Sequence, residues 1–246
     1  MKSLKVLICG GKTGGHIYPA LAVAEALTQR AAETNASLSL LFIGNEVGME
    51  TQLVPSKGIP FQSIRFSGMP RGRNLGRWLT WPGELGQAIL TSRQLLTRFS
   101  PNVVFATGGY VTAPVLMAAK WLGIPYVIHE PDAQPGLVNR LMAQGAAAIT
   151  AAFAASQVHL NNNAFYLTGN PIRMGIGALP KPEALSQLQL DPKVWMDEQR
   201  PVLLIMGGSQ GARTLNKATV GALDTLINSL GCCVIHQTGA ERYEET

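Results

Sequence analysis

No run of about 18 or more uncharged apolar residues interrupts these 246 residues, so the sequence offers no candidate for a membrane-crossing helix. Met1-Lys2-Ser3 leads directly into the strand-like Leu4 to Ile8, which leaves no room for a secretory leader and sets the expectation of a cytosolic protein. Cysteine is scarce: Cys9, Cys232 and Cys233 are odd in number and lack metal-ligand spacing. They read as reduced packing residues, and neither a metal nor another cofactor is expected. Two common nucleotide signatures are also missing. Gly11-Lys12-Thr13 imitates the end of a P-loop, but that pattern needs a glycine where Val6 stands. G-x-G-x-x-G is absent, and Gly44-Asn45 occupies the place where a nicotinamide site puts its ribose-binding carboxylate. Acid is locally rare as well. Between Ser56 and Ser100, Glu84 stands alone against Lys57, Arg65, Arg71, Arg73, Arg77, Arg93 and Arg98, a local excess of six.

What is present is a pair of glycine-rich turns, each after an apolar run and before an amphipathic one. They are Cys9-Gly10-Gly11-Lys12-Thr13-Gly14-Gly15-His16 and Gly207-Gly208-Ser209-Gln210-Gly211-Ala212-Arg213. A turn so placed leaves the first amides of the next helix unpaired and points the positive end of its dipole at them, so an anion is the natural ligand. Two such turns imply two nucleotide-fold halves.

The first part of the chain alternates short apolar strands with helices. Strands are expected at Leu4 to Ile8, Leu38 to Ile43, Phe61 to Phe66, Val103 to Ala106 and Tyr126 to His129. Helices are expected at Pro19 to Arg30, Met49 to Lys57, Glu84 to Arg98, Ala113 to Leu122 and near Leu137 to Ala143. Fully apolar strands separated by helices mean a parallel sheet covered on both faces. Turn signals at Gly169-Asn170-Pro171 and Leu179-Pro180-Lys181-Pro182 mark a connection. A second unit follows, with strands at Pro201 to Met206 and Cys232 to His236 around a helix from Ala212 to Leu230. The expectation is an α/β protein of two Rossmann-like, doubly wound parallel-sheet domains: residues 1–168, a linker at 169–182, and a partial domain at 183–246. One βαβ unit is too little for a complete second domain, which gives the expectation of a C-terminally shortened chain.

His16 follows its turn directly, at the start of a helix whose dipole disfavours protonation. A neutral imidazole there accepts a proton from a hydroxyl at cytosolic pH, or merely caps the helix. His129-Glu130 and Gly108-Gly109-Tyr110 close two further strands on the same carboxyl edge, where open α/β sheets bind ligands. In the basic stretch, Phe66, Met69, Leu75, Trp78, Leu79 and Trp81 are interleaved with the arginines. That mixture suits an anionic membrane surface, where indoles sit among headgroups, and it also suits single-stranded nucleic acid.

Several motifs in order now carry a resemblance: Gly11 to Ala22, Thr107-Gly108-Gly109-Tyr110-Val111, Gly123-Ile124-Pro125, His129-Glu130, Gly136-Leu137, Gly169-Asn170-Pro171-Ile172-Arg173 and Gly207 to Ala212. Together they resemble the MurG family, the UDP-N-acetylglucosamine transferases of peptidoglycan synthesis, GT-B enzymes of glycosyltransferase family 28. The resemblance implies inverting, metal-independent transfer of N-acetylglucosamine to the 4-hydroxyl of the muramyl sugar on undecaprenyl-pyrophosphoryl-N-acetylmuramoyl-pentapeptide (lipid I), giving lipid II. It implies His16 as proton acceptor, with Thr13, Gly14, Gly15, Asp132, Arg173 and Ser209 toward the donor. Gly208, Gln210 and Gly211 complete a donor phosphate loop, and Gly108, Gly109, Tyr110 and Glu130 lie on the acceptor side. The basic stretch then becomes a docking surface for an anionic membrane, with Arg71, Arg73, Arg77, Trp78 and Trp81, and no nucleic acid is expected. The protein is accordingly expected at the cytoplasmic face of the plasma or inner membrane, as a peripheral protein.

Two departures stand out. Lys12 replaces a glycine of the family pattern, where left-handed backbone is expected, and Pro131-Asp132 replaces Gln-Asn. The resemblance places the uracil and ribose contacts beyond position 246, so little transferase activity is expected of the chain alone. A different nucleotide sugar, or a precursor-binding role without turnover, are the competing readings.

Overall fold

The computed structural model describes residues 3–70, 72, 75–208 and 210–246, so Arg71, Arg73 and Ser209 lie outside the described residues. The chain divides into two compact units, Met1–Met174 and Gly175–Thr246.

The first unit is a seven-stranded, wholly parallel sheet. Its strands are β1 (Leu4–Cys9), β2 (Leu38–Asn45), β3 (Phe61–Ile64), β4 (Val103–Ala106), β5 (Tyr126–Glu130), β6 (Ala148–Ala151) and β7 (Phe165–Leu167). Helices α1 (Gly14–Glu33), α2 (Glu50–Ser56), α3 (Leu75–Phe99), α4 (Thr112–Trp121) and α5 (Leu137–Met142) connect them. Alternation along the strands sorts side chains to two cores. Leu7, Cys9, Leu41 and Ile43 join Leu96 of α3 and Val115 and Leu116 of α4 on one face. Val6, Ile8 and Phe42 join Ile17, Ala20 and Leu21 of α1 and Val54 of α2 on the other. Cys9 is a free thiol, and burial pushes its pKa far up, so it packs as an apolar residue. The strand order β3-β2-β1-β4-β5-β6-β7 reverses direction between β1 and β4. Doubly wound sheets open a crevice at such a point, beyond the carboxyl ends of the strands.

Three features differ from the sequence expectation. Helix α1 starts five residues before Pro19, because Gly14, Gly15 and His16 already wind helically and the proline withholds only one amide in its second turn. Helix α3 starts at Leu75 and runs through Pro82-Gly83, so Trp78 and Trp81 ride on a helix. The short strands β6 and β7 are additions to the expected five; they extend the sheet on the β5 side.

The second unit contains α6 (Lys181–Gln187), α7 (Pro192–Trp195), and a parallel pair β8 (Val202–Met206) and β9 (Cys233–Gln237) joined through α8 (Arg213–Asp224). Pro180 and Pro182 punctuate the start of α6 instead of blocking it, because amides there have no helical acceptor to lose. Among the described residues no helix is long and apolar enough to cross a membrane.

Candidate functional site

The turns after β1, β4 and β5 meet at the reversal of strand order, and small residues let them come close. A Cβ on Gly109 would stand 2.6 Å from the Gly11 carbonyl oxygen, and one on Gly10 would collide with Thr107 Oγ1. Thr107 Oγ1 donates to the carbonyl of His16 at 2.6 Å, tying the first turn of α1 to the end of β4. Gly108 and Gly109 take φ +103° and +85°, which only glycine adopts freely. Lys12 has φ +79°, so the expected left-handed position exists and carries a side chain, at a cost of about 1–2 kcal/mol. Its ammonium lies 5.5 Å from the Tyr110 ring centroid.

Thr13 is the N-cap of α1, yet its hydroxyl makes no capping bond to the helix backbone. It pairs instead with Nδ1 of His16 at 3.0 Å. The His16 amide donates to the Thr13 carbonyl at 3.1 Å, which leaves the amides of Gly14 and Gly15 at the helix start to an external acceptor, and the imidazole is oriented. A Cβ at Gly108 would stand 3.1 Å from His16 Nε2, so the missing side chain is what gives that nitrogen its space. Burial lowers the His16 pKa below the usual 6.5; Asp132 and a hydrogen bond with the Gly11 backbone oppose the shift, and Lys12 adds to it. The imidazole is therefore neutral at pH 7.

Behind β5 the polar groups are fully engaged. His129 is buried between Thr150 Oγ1, at 2.9 Å from Nδ1, and Asn170 Oδ1, at 3.1 Å from Nε2. Glu130, which the sequence places on the acceptor side, is 1% exposed and spends its oxygens on its own loop. It accepts from the amides of Asp132 and Gly136 and from Asn139 Nδ2, at 2.9, 3.2 and 2.8 Å. Its carboxylate thus shapes residues 131–136, and Asp132 itself is exposed. The Arg173 guanidinium lies 5.0 Å from the Tyr18 ring centroid, and a Cβ on Gly14 would touch that ring at 3.1 Å. Arg173 is thereby one ring away from the start of α1.

In the second unit, Gly208 and Gly211 take φ +77° and +69°, and a Cβ on Gly211 would collide with the Thr238 carbonyl oxygen. Arg242 Nε donates to the Gln210 carbonyl at 3.2 Å. The turn before α8 is thus clasped against the end of β9, with no side-chain cap on the helix.

Comparison with known proteins adds the decisive observation. Residues 6–151 match the glycosyltransferase family 28 N-terminal domain. The chain belongs to glycosyltransferase family 28. A curated relative from Acidithiobacillus ferrooxidans (strain ATCC 53993 / BNL-5-31) is 40% identical over 98% of this chain and 62% of its own length. One from Halothermothrix orenii is 37% identical over 98% and 62%. Both are named UDP-N-acetylglucosamine--N-acetylmuramyl-(pentapeptide) pyrophosphoryl-undecaprenol N-acetylglucosamine transferase. The crystal structure of Acinetobacter baumannii MurG is similar at 28% identity and TM-score 0.71, over 98% of this chain and 63% of that one. This family member therefore spans a little under two thirds of the length of those relatives. A UDP-GlcNAc 2-epimerase from Neisseria meningitidis, at 15% identity and TM-score 0.60, shares the fold. The fold class is α/β of the GT-B type.

Sequence patterns assign no site role to Thr107, Asn139, Asn45 or Glu50, although Thr107 and Asn45 stand in the motifs quoted above. Each is a polar residue at or just after an apolar strand, or in the next helical turn, and each is buried. Asn139 Oδ1 has no hydrogen-bond partner among the described residues.

The buried histidines fix a pH dependence. Burial lowers the pKa of both His129 and His16, whereas in the unfolded chain each titrates near 6.5. Below that pH the unfolded state takes up protons that the folded state refuses, so stability falls as the pH drops. Glu130, pushed up by burial, works in the opposite direction. The urea midpoint of the first unit is expected to fall between pH 7 and 5.5, and to fall less in His129→Gln; an unchanged difference would remove His129 from this account.

Proposed function

We propose that the chain carries the acceptor half and the donor phosphate loop of an inverting N-acetylglucosamine transferase. It takes the sugar from UDP-N-acetylglucosamine to the 4-hydroxyl of the muramyl sugar in lipid I, forming lipid II for peptidoglycan synthesis. The observation that carries this reading is the oriented, neutral imidazole of His16 beside an uncapped helix start at the sheet's switch point. His16 Nε2 accepts the hydroxyl proton as that oxygen forms its bond to the anomeric carbon. The bond from that carbon to the diphosphate breaks, and UDP leaves with the electron pair. Its growing negative charge is met by the helix amides that follow Thr13, at Gly14 and Gly15, and by the Arg173 guanidinium. Gly208, Ser209, Gln210 and Gly211 are read as the donor phosphate loop of the second unit. Gly108, Gly109 and Tyr110 line the acceptor side, and Glu130 holds the loop that presents Asp132.

The test joins residues 1–246 to the part of the Acidithiobacillus ferrooxidans relative outside the matched stretch, and follows UDP release. UDP-N-acetylglucosamine with a lipid-linked acceptor is expected to give turnover, and UDP-glucose to give at least about tenfold less. Equal use of both sugars favours a transferase of another specificity, and no turnover with either favours a binding role.

The lipid acceptor calls for peripheral docking at the cytoplasmic membrane face. On α3, Leu75 and Leu79 are 77% and 83% exposed, beside a partly exposed Trp78 whose Nε1 donates to the Gly72 carbonyl. Trp81 turns its indole nitrogen inward. Arg77 donates to the Ser67 hydroxyl, which Glu84 also binds, so the loop before α3 is stapled to it. Binding to anionic vesicles is expected to weaken with salt and to drop about tenfold or more in Leu79→Ser. Salt-independent binding, or equal binding to neutral vesicles, would count against this surface.

A further inference from the structure

A carboxylate shut off from water lies beneath the first glycine turn, and the proposed transfer reaction does not use it. Glu50 opens α2 and is 0% exposed. Its Oε1 accepts from the backbone amides of Asn45, at 3.2 Å, and Lys12, at 3.4 Å, and its Oε2 has no partner among the described residues. Three glycines make room for it. A Cβ on Gly11 would collide with Oε1, one on Gly48 would collide with Oε2, and one on Gly44 would stand 2.7 Å from Cγ. A half-satisfied buried carboxylate is costly, and an apolar side chain of similar volume would fill the space without that cost.

The contacts it does make converge on one place. The side chain gives no cap to its own helix. One of its two amide partners belongs to Lys12, the residue held in the left-handed region. The other belongs to Asn45, whose Nδ2 donates to the Tyr110 hydroxyl at 3.0 Å and the Phe66 carbonyl at 2.6 Å. The Tyr110 ring in turn carries the Lys12 ammonium. The circuit closes: Glu50 to the Lys12 backbone, the Lys12 side chain to Tyr110, Tyr110 to Asn45, and Asn45 back to Glu50.

We propose that Glu50 is a positioning residue for the first glycine turn, its carboxylate fixing Lys12 in the left-handed conformation and so setting the start of α1 and His16 against the Gly108-Gly109 turn. The conformational part stands on these contacts alone. Its consequence for turnover rests on the proposed function.

A double-mutant cycle with Lys12→Gly separates this role from plain packing, because glycine adopts φ +79° without being held there. Glu50→Ala is expected to lower the thermal midpoint of the first unit by about 6–10 °C in the parent chain, and by half of that or less in the Lys12→Gly background. Glu50→Gln, which keeps an acceptor oxygen, stays within about 2 °C of the parent. Equal losses in both backgrounds, failure to fold in both included, or a Gln variant as damaged as the Ala variant, would overturn the proposal. In the joined protein, Glu50→Ala is expected to reduce kcat at least about tenfold with donor KM unchanged, and Lys12→Gly to restore most of it. A coupled midpoint beside an unaltered kcat supports the clasp and tells against His16 as the base.

Discussion

His16→Ala in the joined protein is expected to reduce UDP release by about 10²–10⁴-fold, the range a general base contributes, with little change in donor KM. The imidazole is asked to act only as the hydroxyl oxygen attacks, so its removal is felt in the transition state and not in the bound donor. Thr13→Val keeps the ring and removes the hydroxyl 3.0 Å from Nδ1, so a smaller loss of about tenfold is expected from misorientation. The pH profile gives an independent reading. Only the neutral imidazole is competent, and burial holds the His16 pKa below its ordinary value, so the acid limb of kcat/KM lies below pH 6.5. Asp132 raises this pKa and Lys12 lowers it. Asp132→Asn should therefore move the limb to lower pH, and Lys12→Gly should move it higher. Retention of more than a tenth of the activity by His16→Ala would remove the histidine from the base role.

Much of this site is legible in the sequence because its polar chemistry is local. The diglycines, Thr13 and His16 lie on one turn between a strand and a helix, and that order alone predicts unpaired amides and a neutral ring. The five strands expected in the first unit are legible for a similar reason, since runs such as Val6 to Cys9 are apolar on both faces. Strand β6 lies inside the alanine-rich run from Ala143 to Ala155, which reads as readily as helix, and β7 has only three residues, too few for a strand period to show. The start of α3 is hidden by Trp81-Pro82-Gly83, which reads as a break, although the helix continues through it. Glu50, Asn45 and Thr107 are hidden for a deeper reason. Each acts on a residue far off in sequence, as Thr107 does on the carbonyl of His16, 91 positions away. Only the strand order, which sets β1 between β2 and β4, brings those groups together. The signal the sequence does carry is a single polar residue closing an apolar strand, as in Gly44-Asn45, Ala106-Thr107 and His129-Glu130. In a parallel sheet all such endings face one edge, the edge where ligands bind.

Gly109→Ala is the substitution expected to damage the first unit most, and a comparison of three glycines isolates why. Gly123 has φ +67° and open space within 4 Å of where a methyl would sit, so alanine there carries only the left-handed penalty of about 1–2 kcal/mol. Gly109 carries the same kind of penalty at φ +85° and adds a methyl 2.6 Å from the Gly11 carbonyl oxygen. That neighbour is backbone and cannot rotate away. The space beside the Gly11 Cα is already filled by Glu50 Oε1 and Val111, so the two turns separate by pulling the ends of β1 and β4 apart. A loss of about 3–5 kcal/mol follows, or about 6–20 °C in the thermal midpoint, against a few degrees for Gly123→Ala. Gly108→Ala should behave differently, because its methyl would meet the movable ring of His16 at 2.9 Å. The ring can swing aside at modest cost in stability, but it then leaves Thr13, so activity falls further than the midpoint does. If all three substitutions lowered the midpoint equally, the close approach of the two turns would not be what holds His16 in place.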